Sequence, residues 1–460
     1  MFKLLLIWRY FLKRRVAWLA VVAIAMIVLM VVVVLSVMGG LLADTKKRNH
    51  DWSGDIIISR ASAVGFPQYE AFQSLLRQQS CIAKTTPVVR SFGLWNTSPA
   101  ELIGIRPASF SGVTQFAQTL YLKPDLLTNP SALAASPGGK PGSIIGHIAG
   151  SGFSSKKAIQ QASRENPGFH FFEEIPVTIF ALNSRGRLTG SLAGERGNFI
   201  DVDFSETGLV DIDFNALYVD FDILQKLCWM DGSDGMPART SEIRIKLKEG
   251  EDLEQSRQQI AALWQEFISL QSELDRRLLV DVRVQDWLTF RRSFVAPVEN
   301  EKSMMTLVFS LLSLVAIFII FAIFYMIVTE KIKDLGILKS VGGSGSALAQ
   351  VFLGYGLLIG LIGAGFGGLL GSLIVRYSNE ILLSINRSLD WVNSLSDSWQ
   401  LGNIMIWDPE MYAITSIPNQ IDFAQVGFIM LAAIVSSLLG AIIPACRAAG
   451  LPVVNSLRAE

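Results

Sequence analysis

Four runs in this sequence contain no Asp, Glu, Lys, Arg or His: Val16–Leu42, Ser303–Val328, Ala347–Val375 and Phe423–Cys446. Each exceeds the roughly 20 apolar residues that carry a helix across the hydrocarbon core of a bilayer. A helix satisfies its own backbone donors and acceptors where water is absent, so the runs predict four transmembrane helices and exclude a wholly water-soluble fold. They also explain why only 17% of the 460 residues are charged, against about 25% in an ordinary soluble domain.

Lys and Arg in the short flanks set the orientation. Lys3, Arg9, Lys13, Arg14 and Arg15 precede the first run, Lys331, Lys333 and Lys339 lie between the second and third, and Arg447 and Arg458 follow the fourth. Residues 376–422 carry only Arg376 and Arg387. Lys46, Lys47 and Arg48 argue weakly the other way, but the sum places both termini in the cytoplasm and residues 43–302 outside it. The first apolar run is too long for an export signal and lacks a small-x-small cleavage site, so residues 1–42 read as an uncleaved signal anchor. Phe2, Leu5, Leu6 and Trp8 either form a short interfacial helix or extend the first span.

The external segment 43–302 is long enough for a domain with its own core. Strand-like alternation marks Asp55–Ser59, Val88–Phe92, Leu102–Ile105, Val177–Leu182, Phe199–Phe204, Val210–Phe214, Ile243–Leu247 and Val280–Val284, the pattern of a sheet with one wet face. Gln68–Arg77 and Leu253–Leu279 carry helical periodicity, the second with Ala261, Leu263, Phe267, Leu270 and Leu274 along one side. The expected architecture is an α-helical membrane protein with four spans and a large α+β external domain, divided into two subdomains near Asn129–Gly152. Pro297 marks a turn or helix start before the second span, 303–328. A cytoplasmic segment, 329–346, leads to the third span, 347–375. An external loop, 376–422, leads to the fourth, 423–446, and a cytoplasmic tail, 447–460, follows.

Catalytic patterns are missing. Gly342–Ser346 lacks the Lys and Ser/Thr of a phosphate loop, and there is neither H-E-x-x-H nor G-x-S-x-G. His50, His147 and His170 are scattered. Glu173-Glu174, Asp201-x-Asp203 and Asp211-x-Asp213 read as solvated strand faces rather than cation sites. No catalytic, cofactor-binding or metal-ligating residue is assigned. Lys plus Arg and Asp plus Glu stand at 40 each, which gives no reason to expect nucleic acid. No ionisable group interrupts a span, which disfavours an ion-coupled carrier. Cys81 and Cys228 share the external segment and either pair there or remain buried thiols.

Two segments carry positive signals. Gly356, Gly360, Gly363, Gly367 and Gly371 fall on one side of the third span and permit close helix approach, within the chain or between subunits. In Thr329–Ser344, Ile332, Leu335, Leu338 and Val341 recur every three residues among Glu330, Lys331, Lys333, Asp334 and Lys339. This is a short amphipathic cytoplasmic helix ended by glycine, either a plain interfacial helix or a docking element.

Glu330–Gly342 is similar to the coupling helix of the MacB/FtsX-like ABC permease superfamily. Ile443–Val453, ahead of Leu457-Arg458, resembles that family's Pro-Ala-x-x-Ala-x-x-x-x-Pro ending, with one residue fewer between Ala448 and Pro452. Asp408–Tyr412, Ile417-Pro418 and Leu102–Pro107 resemble the lipoprotein-releasing LolC/LolE group within it. The order of one span, a large external domain and three further spans fits as well. The resemblance implies a dimeric permease of a bacterial inner membrane that docks a cytoplasmic ABC ATPase dimer. ATP and magnesium would sit in that partner, none in this chain. Glu330, Lys331, Asp334 and Lys339 would make polar contacts to the ATPase, Leu335, Ile337 and Leu338 would pack against it, and Gly336 and Gly342 would allow close approach or end the helix. A second copy or a related permease, membrane lipid, a lipoprotein cargo and a periplasmic carrier are the other implied partners. Other family members export peptides or macrolides, and still others signal to cell-wall hydrolases.

Overall fold

The computed structural model describes residues 15–60, 62–95, 98–122, 133, 139–147, 174–182, 186, 195–330, 337, 339–340, 342, 344–395 and 421–450. Among them four helices are long and apolar enough to cross a membrane: α1 (Arg15–Ser53), α2 (Arg292–Glu330), α3 (Gly345–Arg376) and α4 (Phe423–Gly450). Together with the mixed α/β region between α1 and α2 they give the expected fold class. The chain divides into two compact units, one built on the four long helices and one spanning Asp44–Val295.

In the membrane unit, small residues set how closely the helices approach. The α1 side chains Val21, Ile24, Val28 and Val32 are buried, as are Ile320 and Phe324 of α2, Tyr355 and Ile359 of α3, and Ala441 and Ala445 of α4. Phe324 meets Tyr355 edge-on with ring centres 5.6 Å apart. The Ser437 hydroxyl, buried on α4, donates to the Gly356 carbonyl at 2.8 Å and so finds a partner in an apolar setting. An 18-residue helix, Ser378–Leu395, follows α3 after Tyr377. Both outer helices outlast their apolar runs: α1 continues to Ser53, and α2 has already begun at Arg292. Pro297 therefore lies inside α2 rather than at a turn before it.

The other unit is built on β1 (Ile56–Arg60), β2 (Phe66–Pro67), β3 (Ile82–Trp95), β4 (Ser98–Ile105), β5 (Gly142–Gly146), β6 (Glu174–Ile179), β7 (Glu195–Ser205), β8 (Ala216–Asp220), β9 (Arg239–Thr240), β10 (Glu242–Leu247) and β11 (Val282–Asp286). The main sheet runs β11-β1-β10-β3-β4-β8-β5-β7-β6, and β6 pairs back onto β3 through Val177–Ile179. The strands from β3 to β6 therefore close a ring, which leaves no free edge between them. The helices Tyr69–Leu76 and Leu253–Ser269 cover one side, where Phe72 meets Trp264 edge-on at 4.6 Å.

Several local expectations are corrected. Val210–Phe214 is a short helix, Val210–Asn215, not a strand. The Asp213 carboxylate accepts from the Thr207 N–H, the Thr207 hydroxyl and the Gly208 N–H, and this local bonding competes with a sheet ladder. Leu253–Leu279 is two helices, because Ser272 caps a new one at Glu273. The first buries Ile260, Trp264, Phe267 and Ile268, turning Leu270 out to 78% exposure. The last strand starts at Val282 because the second helix runs to Leu279. Asp201 and Asp203 are buried, not solvated. Asp203 accepts from the backbone N–H groups of Leu122 and Phe204, and β7 lies between β5 and β6. Cys81 and Cys228 are free and buried, and burial pushes the Cys228 thiol up to about 11. Glu173, His170 and most of Asn129–Gly152 lie outside the described residues.

Candidate functional site

Part of the segment between α2 and α3 is described. Glu330 closes α2 and is exposed, Ile337 is 53% exposed, and Lys339 is half-buried. Gly342 has φ of 98° and donates its N–H to the Lys339 carbonyl at 3.1 Å, a left-handed ending that glycine adopts without side-chain strain. Ser344 then accepts from the Ala347 N–H and caps α3. Lys331, Ile332, Lys333, Asp334, Leu335, Gly336, Leu338 and Val341 lie outside the described residues.

The base of α4 adjoins this segment. The Lys339 ammonium donates to the Ala449 carbonyl at 2.6 Å. Arg447 donates to the Tyr325 hydroxyl at 2.7 Å, its guanidinium 4.8 Å from the ring centre. From the sequence, Arg447 and Lys339 read as cytoplasmic charges, with Lys339 also an outward contact, and neither pairing was visible.

The glycine row of α3 is buried and serves two neighbours in the same chain. A Cβ on Gly356 would lie 2.8 Å from that of Ala441, and one on Gly360 would lie 3.0 Å from that of Ser437, so this half receives α4. A Cβ on Gly363 would come within 2.9 Å of Ile24, on Gly367 within 2.5 Å of the Ala25 carbonyl oxygen, and on Gly371 within 3.1 Å of Val32. That half receives α1. Helix contact at such distances gains dispersion energy without any polar group, the main resource for packing in lipid.

A third arrangement, absent from the sequence reading, lies where α1 ends and α2 begins. Gly54, with φ of 83°, terminates α1 by donating to the His50 carbonyl. Two residues earlier the Trp52 ring is buried among cations. The guanidinium groups of Arg244, Arg291 and Arg90 lie 4.1, 5.1 and 6.0 Å from its centre. The indole N–H donates to Tyr218 at 2.9 Å, and Arg244 donates to the Trp52 carbonyl at 2.7 Å. Arg291, immediately before α2, donates to Asn49 at 2.6 Å and to Asp211 at 2.8 Å.

Charge balance makes this burial tolerable. Glu242 accepts from both Arg244 and Arg90, Glu101 accepts from Arg90, and Asp211 accepts from Arg291. Burial alone would raise the Glu242 carboxyl, but Arg244 and Arg90 hold it below its ordinary value. The only signal in the sequence was an arginine in the alternating Ile243–Leu247 strand, which reads as a wet position. In the fold Arg244 is fully buried, covered by Trp52 and Phe110.

Among the described residues no group of three or more His, Cys, Asp or Glu is placed to hold a metal. The family described as FtsX-like permease C-terminal matches residues 306–453, which take in α3, α4 and the segment that carries Lys339. Residues 306–453 are thus similar to the C-terminal part of FtsX-like permeases. The lipoprotein-releasing system transmembrane protein LolC of Xylella fastidiosa (strain Temecula1) is 28% identical over 255 residues, which cover 55% of this chain and 54% of that protein. LolC of Haemophilus influenzae is 28% identical over 178 residues, covering 39% of each chain. LolE of Haemophilus influenzae is 24% identical over 168 residues, covering 36% and 37%. The chain thus spans about half the length of the Xylella protein and less of the others. Among solved structures, the periplasmic region of MacB from Actinobacillus actinomycetemcomitans aligns with a TM-score of 0.30 at 15% identity. That alignment covers 53% of this chain and 94% of the MacB chain. The extracellular domain of the transporter YknZ from Gram-positive bacteria aligns at 0.27 and 11%, covering 50% and 98%.

Proposed function

We propose that this permease converts ATP-driven motion of a cytoplasmic partner ATPase into movement of its external unit, and that the work done is the release of lipoproteins from the outer leaflet of the inner membrane. The observation that carries this reading is the 255-residue match to LolC.

The chemistry of the chain supports each step. Glu330, Lys331, Asp334, Leu335, Gly336, Ile337, Leu338 and Gly342 form the face that meets the ATPase, with Ile337 already exposed. Displacement of that segment enters α2 and α3, its covalent neighbours. The glycine row carries it from α3 to α1 and α4, because helices in backbone contact have little room to slide independently. α1 runs without a break to Ser53, past Trp52, and α2 runs without a break from Arg292. The buried cage fastens the end of α1 to the sheet through Tyr218 and Arg244, and the start of α2 to the short helix Val210–Asn215 through Asp211. A cavity of about 210 Å³ between α1, α2 and α4, walled by Ile24, Val31, Phe309, Phe428 and Ile429, has the apolar character that an acyl chain requires.

Purification of the full chain in mild detergent, with identification of every protein retained, tests the partnership. Retention of an ABC ATPase that is lost on Ile337→Asp is the expected result. A chain that retains no ATPase while remaining folded would refute the reading.

A further inference from the structure

We propose that Lys339 is a positioning residue that fastens the coupling segment to the C-terminal end of α4, rather than a contact to the ATPase. The inference rests on the reading of residues 330–342 as the ATPase-docking element.

Three contacts converge on one short stretch of α4. Lys339, inside the segment, donates to the Ala449 carbonyl at 2.6 Å. Gly345, just beyond the segment, approaches the same carbonyl so closely that a Cβ there would lie 2.7 Å from its oxygen. Tyr325, ahead of the segment on α2, accepts from Arg447 at 2.7 Å. The base of α4 therefore touches the chain before, within and after the coupling segment.

The chemistry of the contact suits a fixed ammonium. Ala449 belongs to the last turn of α4, whose carbonyls have no N–H partner within the helix and carry the negative end of its dipole. A lysine there satisfies one of those oxygens and is favoured by the dipole. It also gives the half-buried side chain a defined geometry, whereas a lysine reserved for a partner protein would extend into solvent.

The consequence is mechanical. α3 and α4 already share the Gly356–Ala441 and Gly360–Ser437 approaches and the Ser437–Gly356 hydrogen bond. With Lys339 attached to Ala449, a push that reaches Lys339 passes to α4 directly instead of only through the turn at Gly342.

Lys339→Met and Lys339→Arg, in the full chain with its ATPase, test this with three readouts. They are ATPase retention, ATP-driven output, and amide hydrogen exchange over residues 337–345 and 445–449 in the chain alone. Lys339→Met should keep ATPase retention, speed exchange in both stretches and lower ATP-driven output about tenfold, within the range seen for residues that couple distant sites. Lys339→Arg should restore protection and output. Loss of ATPase retention in Lys339→Met with unchanged exchange would overturn the proposal and make Lys339 a contact residue. Unchanged exchange and output would overturn it as well. Failure of the unaltered chain to retain any ATPase would refute the functional reading, while faster exchange in Lys339→Met alone would still support the attachment.

Discussion

Arg291 donates to the Asn49 side chain at 2.6 Å and so joins the residue before α2 to the last turns of α1, although 242 positions separate the two in sequence. Both partners are buried, and the same guanidinium holds Asp211 and lies over Trp52. The last turns of α1 and the residue before α2 are thus fixed to each other around Trp52, which in turn meets Tyr218 and Arg244 of the sheet.

Removing the centre of that point should be costly. Trp52→Ala leaves a cavity and deprives Arg244, Arg291 and Arg90 of the ring between them, so it should destabilise the external unit by about 3–5 kcal/mol. Arg291→Met should cost less, because Asp211 is already 29% exposed and can rehydrate. Thermal unfolding of the full chain in detergent, followed by tryptophan fluorescence and by proteolysis of the external unit, measures the order. An Arg291→Met variant less stable than Trp52→Ala would contradict it.

The glycine row makes a graded prediction. Gly367→Ala would drive its methyl into the Ala25 carbonyl at 2.5 Å, a backbone atom that cannot turn aside, while Gly371→Ala meets the Val32 side chain at 3.1 Å. Gly365 has nothing within 4 Å of its Cβ position. Stability in detergent should fall most for Gly367→Ala, by roughly 1–3 kcal/mol, as overpacked sites do. It should fall less for Gly371→Ala and hold for Gly365→Ala. Equal stability across the three would show that α1 and α3 do not pack as described.

Asp213 predicts a pH dependence. Burial pushes its carboxyl from 3.8 up to about 7, against the three donors from Thr207 and Gly208. Between those values the folded chain holds a proton that the unfolded chain has released. Its stabilising effect is therefore complete below about pH 4 and is lost as pH rises towards about 7. The melting temperature of Asp213→Asn relative to the unaltered chain should rise across that window, because the amide cannot titrate. A difference that does not change with pH would remove Asp213 as the titrating group.

At the coupling face, Ile337 is 53% exposed in the chain alone. If the ATPase covers it, Ile337→Ala should weaken ATPase association by about 1–2 kcal/mol, roughly 5- to 30-fold in affinity. Titration of detergent-solubilised chain with purified ATPase measures this, and unchanged affinity would place Ile337 outside the interface.

What the sequence disclosed follows from how local each signal is. An uncharged run such as Ser303–Val328 has one favourable fate in a membrane, so the spans were legible from composition alone. The spacing of Gly356 to Gly371 showed a face made for close approach, but not that one half receives Ala441 and Ser437 while the other receives Ile24 and Val32. Arg244 was misread because alternation in Ile243–Leu247 cannot reveal that Trp52 and Phe110 cover the arginine. Asp213 was misread because its bonds to Thr207 and Gly208 curl Val210–Asn215 into a helix in spite of an alternating pattern. Lys339 looked like an outward charge since its partner, the Ala449 carbonyl, is a backbone atom 110 residues away.

The most direct test of the central claim is reconstitution of the full chain and its ATPase in proteoliposomes carrying a fluorescent acylated lipoprotein, with release into solution followed on addition of ATP. The account predicts ATP-dependent release that falls sharply with Trp52→Ala while ATPase retention persists. Release that proceeds equally with and without ATP, or ATP-dependent release unaffected by Trp52→Ala, would contradict it.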